Sequence, residues 1–220
     1  MTRKKRKRKK KNKYLYFWEN INMYCPITGE CHCKCGKDQE PISALQVDLT
    51  STLRKLFTDH AVYTKFVINA IIDGTADIKA LLPRLMQNQV DIGDQLKPII
   101  GNKSSVLIKL LQKHIELAGA TVTEIAQDST YFDSDVVSDS IQEAINNQLW
   151  NGNQVASFLS ALNSEVLGKE MVESMFQQHN MFVVMMAMKR KEKDYVQELV
   201  LYDAYYNQIL EMSDAISNAL

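Results

Sequence analysis

Residues 53–71 read LRKLFTDHAVYTKFVINAI. Leu53, Leu56, Phe57, His60, Tyr63, Val67 and Ile71 recur at the three-and-four spacing that places side chains on one face of an α-helix. The polar positions between them fall on the opposite face, and nothing in the stretch alternates with the period of two that a strand requires. Outward from it the same rhythm predicts a helix over 48–72, closed by Gly74, a good residue just beyond a helix end. A second helix is predicted from Ile78 or Pro83 to Lys97, stopped by Pro98 and Gly101. A third covers 103–128, capped by Asn102 or Ser104, with the stripe Leu107, Leu110, Leu111, His114, Ala118, Val122 and Ile125.

The second half reads the same way. Residues 134–150 form a helix, Asn151-Gly152-Asn153 reads as a break, and a short helix follows to Leu162. Asn163 or Ser164 then caps a long helix to Arg190 with the stripe Val172, Met175, Phe176, His179, Val183 and Met186. A last helix over 194–217 carries Val196, Leu199, Val200, Asp203, Tyr206 and Leu210. The expected architecture is all-α, an up-and-down helical bundle of two helical hairpins plus accessory helices over 46–220.

Composition limits what this bundle can be. The neutral total of 26 basic and 26 acidic residues hides a tail, residues 1–13 (MTRKKRKRKKKNK), that holds ten basic residues and no acidic one. Taking those ten away leaves 16 basic against 26 acidic residues, so the rest of the chain carries −10. A uniformly basic nucleic-acid-binding domain is excluded. The tail is too charged and too poor in apolar residues to fold alone. Arg3, Lys4, Lys5, Arg6, Lys7, Arg8, Lys9, Lys10 and Lys11 suit nucleic acid through phosphate neutralisation; a nuclear-import signal and an unused leader before a start at Met23 stand beside that reading. No apolar run approaches the ~18 residues of a membrane span, so no membrane partner is expected. KYLYFWENINMY after the charged start is not a secretory signal, which points to an intracellular protein.

Residues 14–45 contain every cysteine, in CPITGECHCKC. Cys25, Cys31, Cys33 and Cys35, with His32 among them, are four soft ligands for zinc, but the spacing lacks the paired C-x2-C of zinc fingers. Free thiols on a leader, or an adventitious metal site, are the plainer alternatives.

The bundle holds the stronger constellation. His60, His114 and His179 lie one per long helix, each on the apolar stripe and each near mid-helix; Asp203 does the same on the last helix, and Asp91 sits in the second. Helices of similar length joined by short turns align their midpoints, so these side chains are expected in one layer. Imidazoles and carboxylates from different helices are how bundle cores hold zinc or iron. The other reading is a metal-free polar network in which each His donates to an Asp, Asn or Tyr.

Asp59-His60 with Tyr63, then Arg84-Leu85 through Asn88-Gln89 and Asp91-Ile92-Gly93, then Leu110-Leu111 with His114-Ile115 carry a resemblance. Over residues 48–217 the chain resembles a family of uncharacterised helical proteins of bacilli and large DNA viruses, members of which often carry the label acetylglutamate kinase. The resemblance implies no secure activity, and the kinase label fails physically. Such a kinase needs an α/β sheet and glycine-rich phosphate loops, whereas the eight glycines here make neither G-x-G-x-x-G nor P-loop spacing. Two functions remain open: a helical protein with a mid-bundle His/Asp site for a divalent metal (zinc or iron), and, if an enzyme, a metal-dependent hydrolase or transferase; or a structural, virion-packaged protein, a homo-oligomer through its acidic bundle, whose basic tail holds nucleic acid.

Overall fold

The structure, a computed structural model, describes residues 44–129 and 137–220. The basic tail, the cysteine leader and the expected helix start at Ser134 lie outside the described residues.

Among the described residues six α-helices follow one another: α1 (Ala44–Asp73), α2 (Ile78–Ile100), α3 (Ser104–Gln127), α4 (Asp139–Ser160), α5 (Lys169–Lys191) and α6 (Tyr195–Ala219), with one 3-10 turn, Gly101–Lys103, between α2 and α3. Among the described residues there is no strand, and the all-α bundle is as the periodicity predicts. No helix there is long and apolar enough to cross a membrane. Gly74 ends α1 with φ +67°, a left-handed conformation that costs a residue without Cβ nothing.

The packing is more regular than two hairpins with an accessory pair. Consecutive helices pack side by side and α6 returns to α1, so the six close a ring. Within it α1, α3 and α5 also touch one another. The molecule is therefore three equivalent hairpins, α1–α2, α3–α4 and α5–α6, each placing its first helix at the centre. Arg190 and Lys191 at the end of α5 reach Asp73 at the end of α1 and the Ile125 and Asp128 carbonyls at the end of α3, so the three central helices run the same way. The core they enclose is hydrocarbon from all six helices, with Leu53, Ile68, Leu96, Leu107, Ile125, Ile141, Met186 and Ile209 fully buried.

Three local expectations are corrected. Pro98 does not stop α2, which runs through it to Ile100; the stop is Gly101, whose N–H reaches back to the Lys97 carbonyl. The long fifth helix begins at Lys169, not at 165, and Asn163 instead spends its side chain on the Ala219 carbonyl, 2.8 Å away. Nor do Asn151-Gly152-Asn153 break α4, which continues from Asp139 to Ser160. Gly152 is buried where α4 meets α5: a Cβ there would stand 2.9 Å from Asn180 Nδ2 and 3.4 Å from Phe176 Cβ. Glycine is there to let two helices approach, and Gln148 and Asn180 exchange hydrogen bonds beside it (Gln148 Nε2 to Asn180 Oδ1, 3.2 Å; Asn180 Nδ2 to the Gln148 carbonyl, 3.4 Å).

A buried ion pair fixes the end of the bundle near the α5–α6 turn. Glu198, 1% exposed, takes Lys65 from α1 and, at 3.4 Å, Arg190 from α5. Arg190 also binds Asp73 at the end of α1. Removing one member of such a pair leaves an uncompensated buried charge, which is what makes it restrictive.

Candidate metal centre

The three central helices bring His60, His114 and His179 together. All three are buried, at 7%, 3% and 4% exposure. The His179 ring centre is 5.8 Å from that of His60 and 5.5 Å from that of His114. Tyr205 of α6 covers the other side of His179 at 5.2 Å, and Phe176 meets His114 edge-on at 5.9 Å. The matched depth expected from helix midpoints is therefore met by all three imidazoles.

The two carboxylates expected with them are elsewhere. Asp203 lies on the exposed face of α6. The stripe expected on its helix is not the one that packs: Val196, Leu199 and Val200 are 71%, 57% and 56% exposed, and the face turned inward is Leu201, Tyr205, Gln208, Ile209, Met212 and Ile216. Asp91 is half-buried on the outer side of α2, where Gln87 Nε2 donates to it at 3.0 Å and Arg84 stands 3.5 Å away. Arg84 also lies 3.7 Å from Asp59 and stacks on Tyr63, so this acidic pair belongs to a surface cluster.

In place of carboxylates, each hairpin supplies a neutral amide from its second helix, always to the same point. Asn88 Nδ2 donates to the Leu56 carbonyl at 2.9 Å, Asn151 Nδ2 to the Leu110 carbonyl at 3.4 Å, and Gln208 Nε2 to the Met175 carbonyl at 3.0 Å. Each of those carbonyls lies four residues before a histidine, one helical turn back on the same face. The amide oxygen is thereby turned toward the ring. For His114 the contact is closed: Nδ1 stands 3.0 Å from Asn151 Oδ1. Since Asn151 Nδ2 is already committed, the Nδ1 hydrogen donates and His114 Nε2 keeps its lone pair. Gln89 Nε2 is 3.1 Å from His60 Nδ1 but also reaches the Leu85 carbonyl and Asn88 Oδ1, so two hydrogens serve three acceptors. Asn88, Gln89, Asn151 and Gln208 were not singled out from the sequence. The signal was present: Asn151 falls three residues after Gln148 and four before Val155, on the buried face once α4 is read as continuous.

Burial sets the protonation of the layer. Desolvation, then the neighbouring His114, pushes His60 down to about 3, while the adjacent Asn88 side chain works weakly the other way. Desolvation takes His114 to about 4 against the Asn151 contact. His179 is well below its ordinary value through desolvation, then His114 and His60. All three are neutral at pH 7, the state in which imidazole binds metals. Burial also raises the Tyr205 hydroxyl.

Several buried polar atoms around the layer have no partner among the described residues: Thr64 Oγ1, His114 Nε2, His179 Nδ1, Tyr205 Oη and Gln208 Oε1. Tyr205 and Thr64 lie near enough to each other, as do His179 and Gln208, for each contact to bear on the titration of Tyr205 and His179, so of the five His114 Nε2 is the atom without such a neighbour; an unmade bond of this kind costs about 1–3 kcal/mol. The histidines also separate two cavities. One, of ≈ 40 Å³, is walled by Phe57, Ile92, Leu96, Leu107, Leu159 and Phe176 among others. The other, of ≈ 20 Å³, lies past Thr64, Val67, Leu85, Ile115, Gly119 and Val183.

As the side chains stand, no group of three or more His, Cys, Asp or Glu among the described residues is arranged to hold a metal ion. Two of the three ring spacings, His179 to His60 and His179 to His114, are near what an ion needs. With Zn–N of about 2.0–2.1 Å, a tetrahedral ion places ligating ring centres about 5 Å apart. Cys25, Cys31, Cys33 and Cys35 lie outside the described residues. Compared with protein-family models, with curated proteins and with solved structures, the chain matches none.

Proposed function

We propose that this chain is a metal-binding protein whose His60, His114 and His179 hold one divalent ion, zinc or iron, through ring nitrogens. The observation that carries the reading is the repeated device of the three hairpins: an imidazole on each central helix with an amide from its partner helix behind it. Metal-ligating histidines ordinarily donate their other N–H to an outer-shell acceptor, which fixes tautomer and aim. His114 is already in that state, with Nδ1 donating to Asn151 and Nε2 buried and unpartnered. The layer has a cavity on each side, which leaves the rings room to turn. Lewis-acid polarisation of a molecule in the remaining position is the chemistry such an ion supplies. The protein's part is to keep three neutral imidazoles dry, oriented and at one depth. Asp91 and Asp203 take no part.

Elemental analysis of protein purified without a metal-affinity tag tests this. One ion per chain is expected, lost in His114→Ala with the helical circular-dichroism spectrum retained. Metal-free wild-type protein that cannot be loaded with zinc or iron rejects the proposal.

The ten basic residues of 1–13 support a second role, a salt-sensitive arm on the phosphate backbone of nucleic acid. Deleting residues 2–13 is expected to abolish retention on DNA at low salt; unchanged retention rejects it.

A further inference from the structure

The ≈ 40 Å³ cavity touches His60, His114 and His179 at one end and is otherwise bounded almost wholly by hydrocarbon. Among its walls Leu96, Leu107 and Ile209 are 1% exposed and Phe57 8%, so it lies inside the bundle. Its one other polar neighbour, Gln89, is engaged with the Leu85 carbonyl and Asn88. A water molecule needs two to four polar partners to stay; such partners are gathered at the imidazoles, where His114 Nε2 is unpartnered, and the hydrocarbon remainder of the cavity offers none, so that part stays dry. The size narrows the occupant further. A water needs about 10–15 Å³, whereas the cavity that takes benzene measures about 150 Å³. The space in this protein suits an uncharged molecule of two heavy atoms.

We propose that this cavity binds a small apolar gas molecule, dioxygen by chemical class, and presents it to the imidazole layer. The use of that molecule rests on the metal reading above; its binding rests on the cavity walls alone. Charged ligands, and ones that need hydrogen bonds away from the imidazoles, are disfavoured, because Phe57, Ile92, Leu96 and Phe176 offer them nothing in exchange for lost water.

Xenon and dioxygen are the probes, used on the full-length protein as purified and after chelator treatment. Methyl NMR under xenon is expected to shift Ile92, Leu96, Leu107 and Ile209 selectively, and dioxygen under pressure to enhance relaxation of the same methyls. Leu111→Phe, at a half-buried wall position, is expected to abolish both effects by filling the space; Leu159→Ala is expected to strengthen them by enlarging it. Methyls at the cavity that respond no more than surface methyls overturn the proposal, as does an unaltered response in a folded Leu111→Phe. Both preparations should respond alike. A xenon response in protein that never holds metal rejects the metal reading and leaves this one standing; bound metal with no xenon or dioxygen response does the reverse.

Discussion

Asn151 grips His114 and its own helix with one amide: Oδ1 stands 3.0 Å from His114 Nδ1 while Nδ2 donates to the Leu110 carbonyl one turn earlier. The pair therefore fixes the height of the ring, its rotation and its tautomer at once. Asn151→Leu leaves Nδ1 unpaired in the core and takes the second hydrogen bond from the Leu110 carbonyl. A loss of about 1–3 kcal/mol in urea-unfolding stability is expected. Loss of an outer-shell partner should also weaken metal binding about 10–100-fold, read by competition with a chelator. A stability loss without any change in metal affinity separates a structural role from a positioning one.

Two helical glycines should respond to alanine with opposite signs. Gly119 of α3 borders the smaller cavity, and a Cβ there meets nothing within 4 Å. Gly119→Ala is expected to stabilise by about 0.5–1 kcal/mol through helix propensity alone. Gly152→Ala puts a methyl 2.9 Å from Asn180 Nδ2 and should destabilise by about 1–3 kcal/mol. Chemical denaturation of the two variants against wild type decides both.

The histidine layer should make the fold sensitive to acid. His60, His114 and His179 bind protons more weakly folded than unfolded, where the ordinary value is about 6.5. Their contribution is complete above that value and is lost as pH falls toward the folded values of about 3 and 4 for His60 and His114. Between those limits each shifted histidine adds up to about 1.4 kcal/mol per pH unit to the slope of stability. Besides one another, the titratable group facing them is Tyr205, which stays protonated throughout. Replacing His114 by Asn should flatten the slope between pH 4.5 and 6 by about one proton's worth in metal-free protein. An unchanged slope contradicts the burial argument.

How much of this was legible in the residues is clearest on α6. Helical period, the Gly74 stop and the three histidines were readable because each is a local pattern: His60, His114 and His179 sit among leucines, valines and methionines that leave one burial face available; the expected caps at Asn102 or Ser104 and at Asn163 or Ser164 were not, since Lys103 and Gly168 stand there without a side-chain cap. On α6 the apolar residues ran round the helix, and Val196, Leu199 and Val200 outweighed Leu201, Tyr205 and Ile209 in choosing the stripe. That misplaced Asp203 by more than a third of a turn. Glu198 lies on the face that packs, paired with Lys65 and Arg190 from two other helices, and no pattern within α6 announces those partners. The amides were missed for a related reason. Asn151 beside Gly152 has the chemistry of a turn, and only the close approach of α5 makes it helical and buried.

Asp203 then yields a direct check on the corrected site. Asp203→Ala, on an exposed face, is expected to change stability by less than about 0.5 kcal/mol and to leave metal content untouched. Loss of bound metal in that variant would return the carboxylate to the site.

X-ray absorption at the metal edge tests the three-histidine centre most directly. It is best made on the full-length chain with Cys25, Cys31, Cys33 and Cys35 replaced by Ser, so that only the bundle can contribute. The account predicts one ion per chain with imidazole scattering from three nitrogens at about 2.0–2.1 Å, falling to two in His179→Ala. Stoichiometric loading that shows no imidazole scattering, or a bundle that takes up no ion at all, contradicts it.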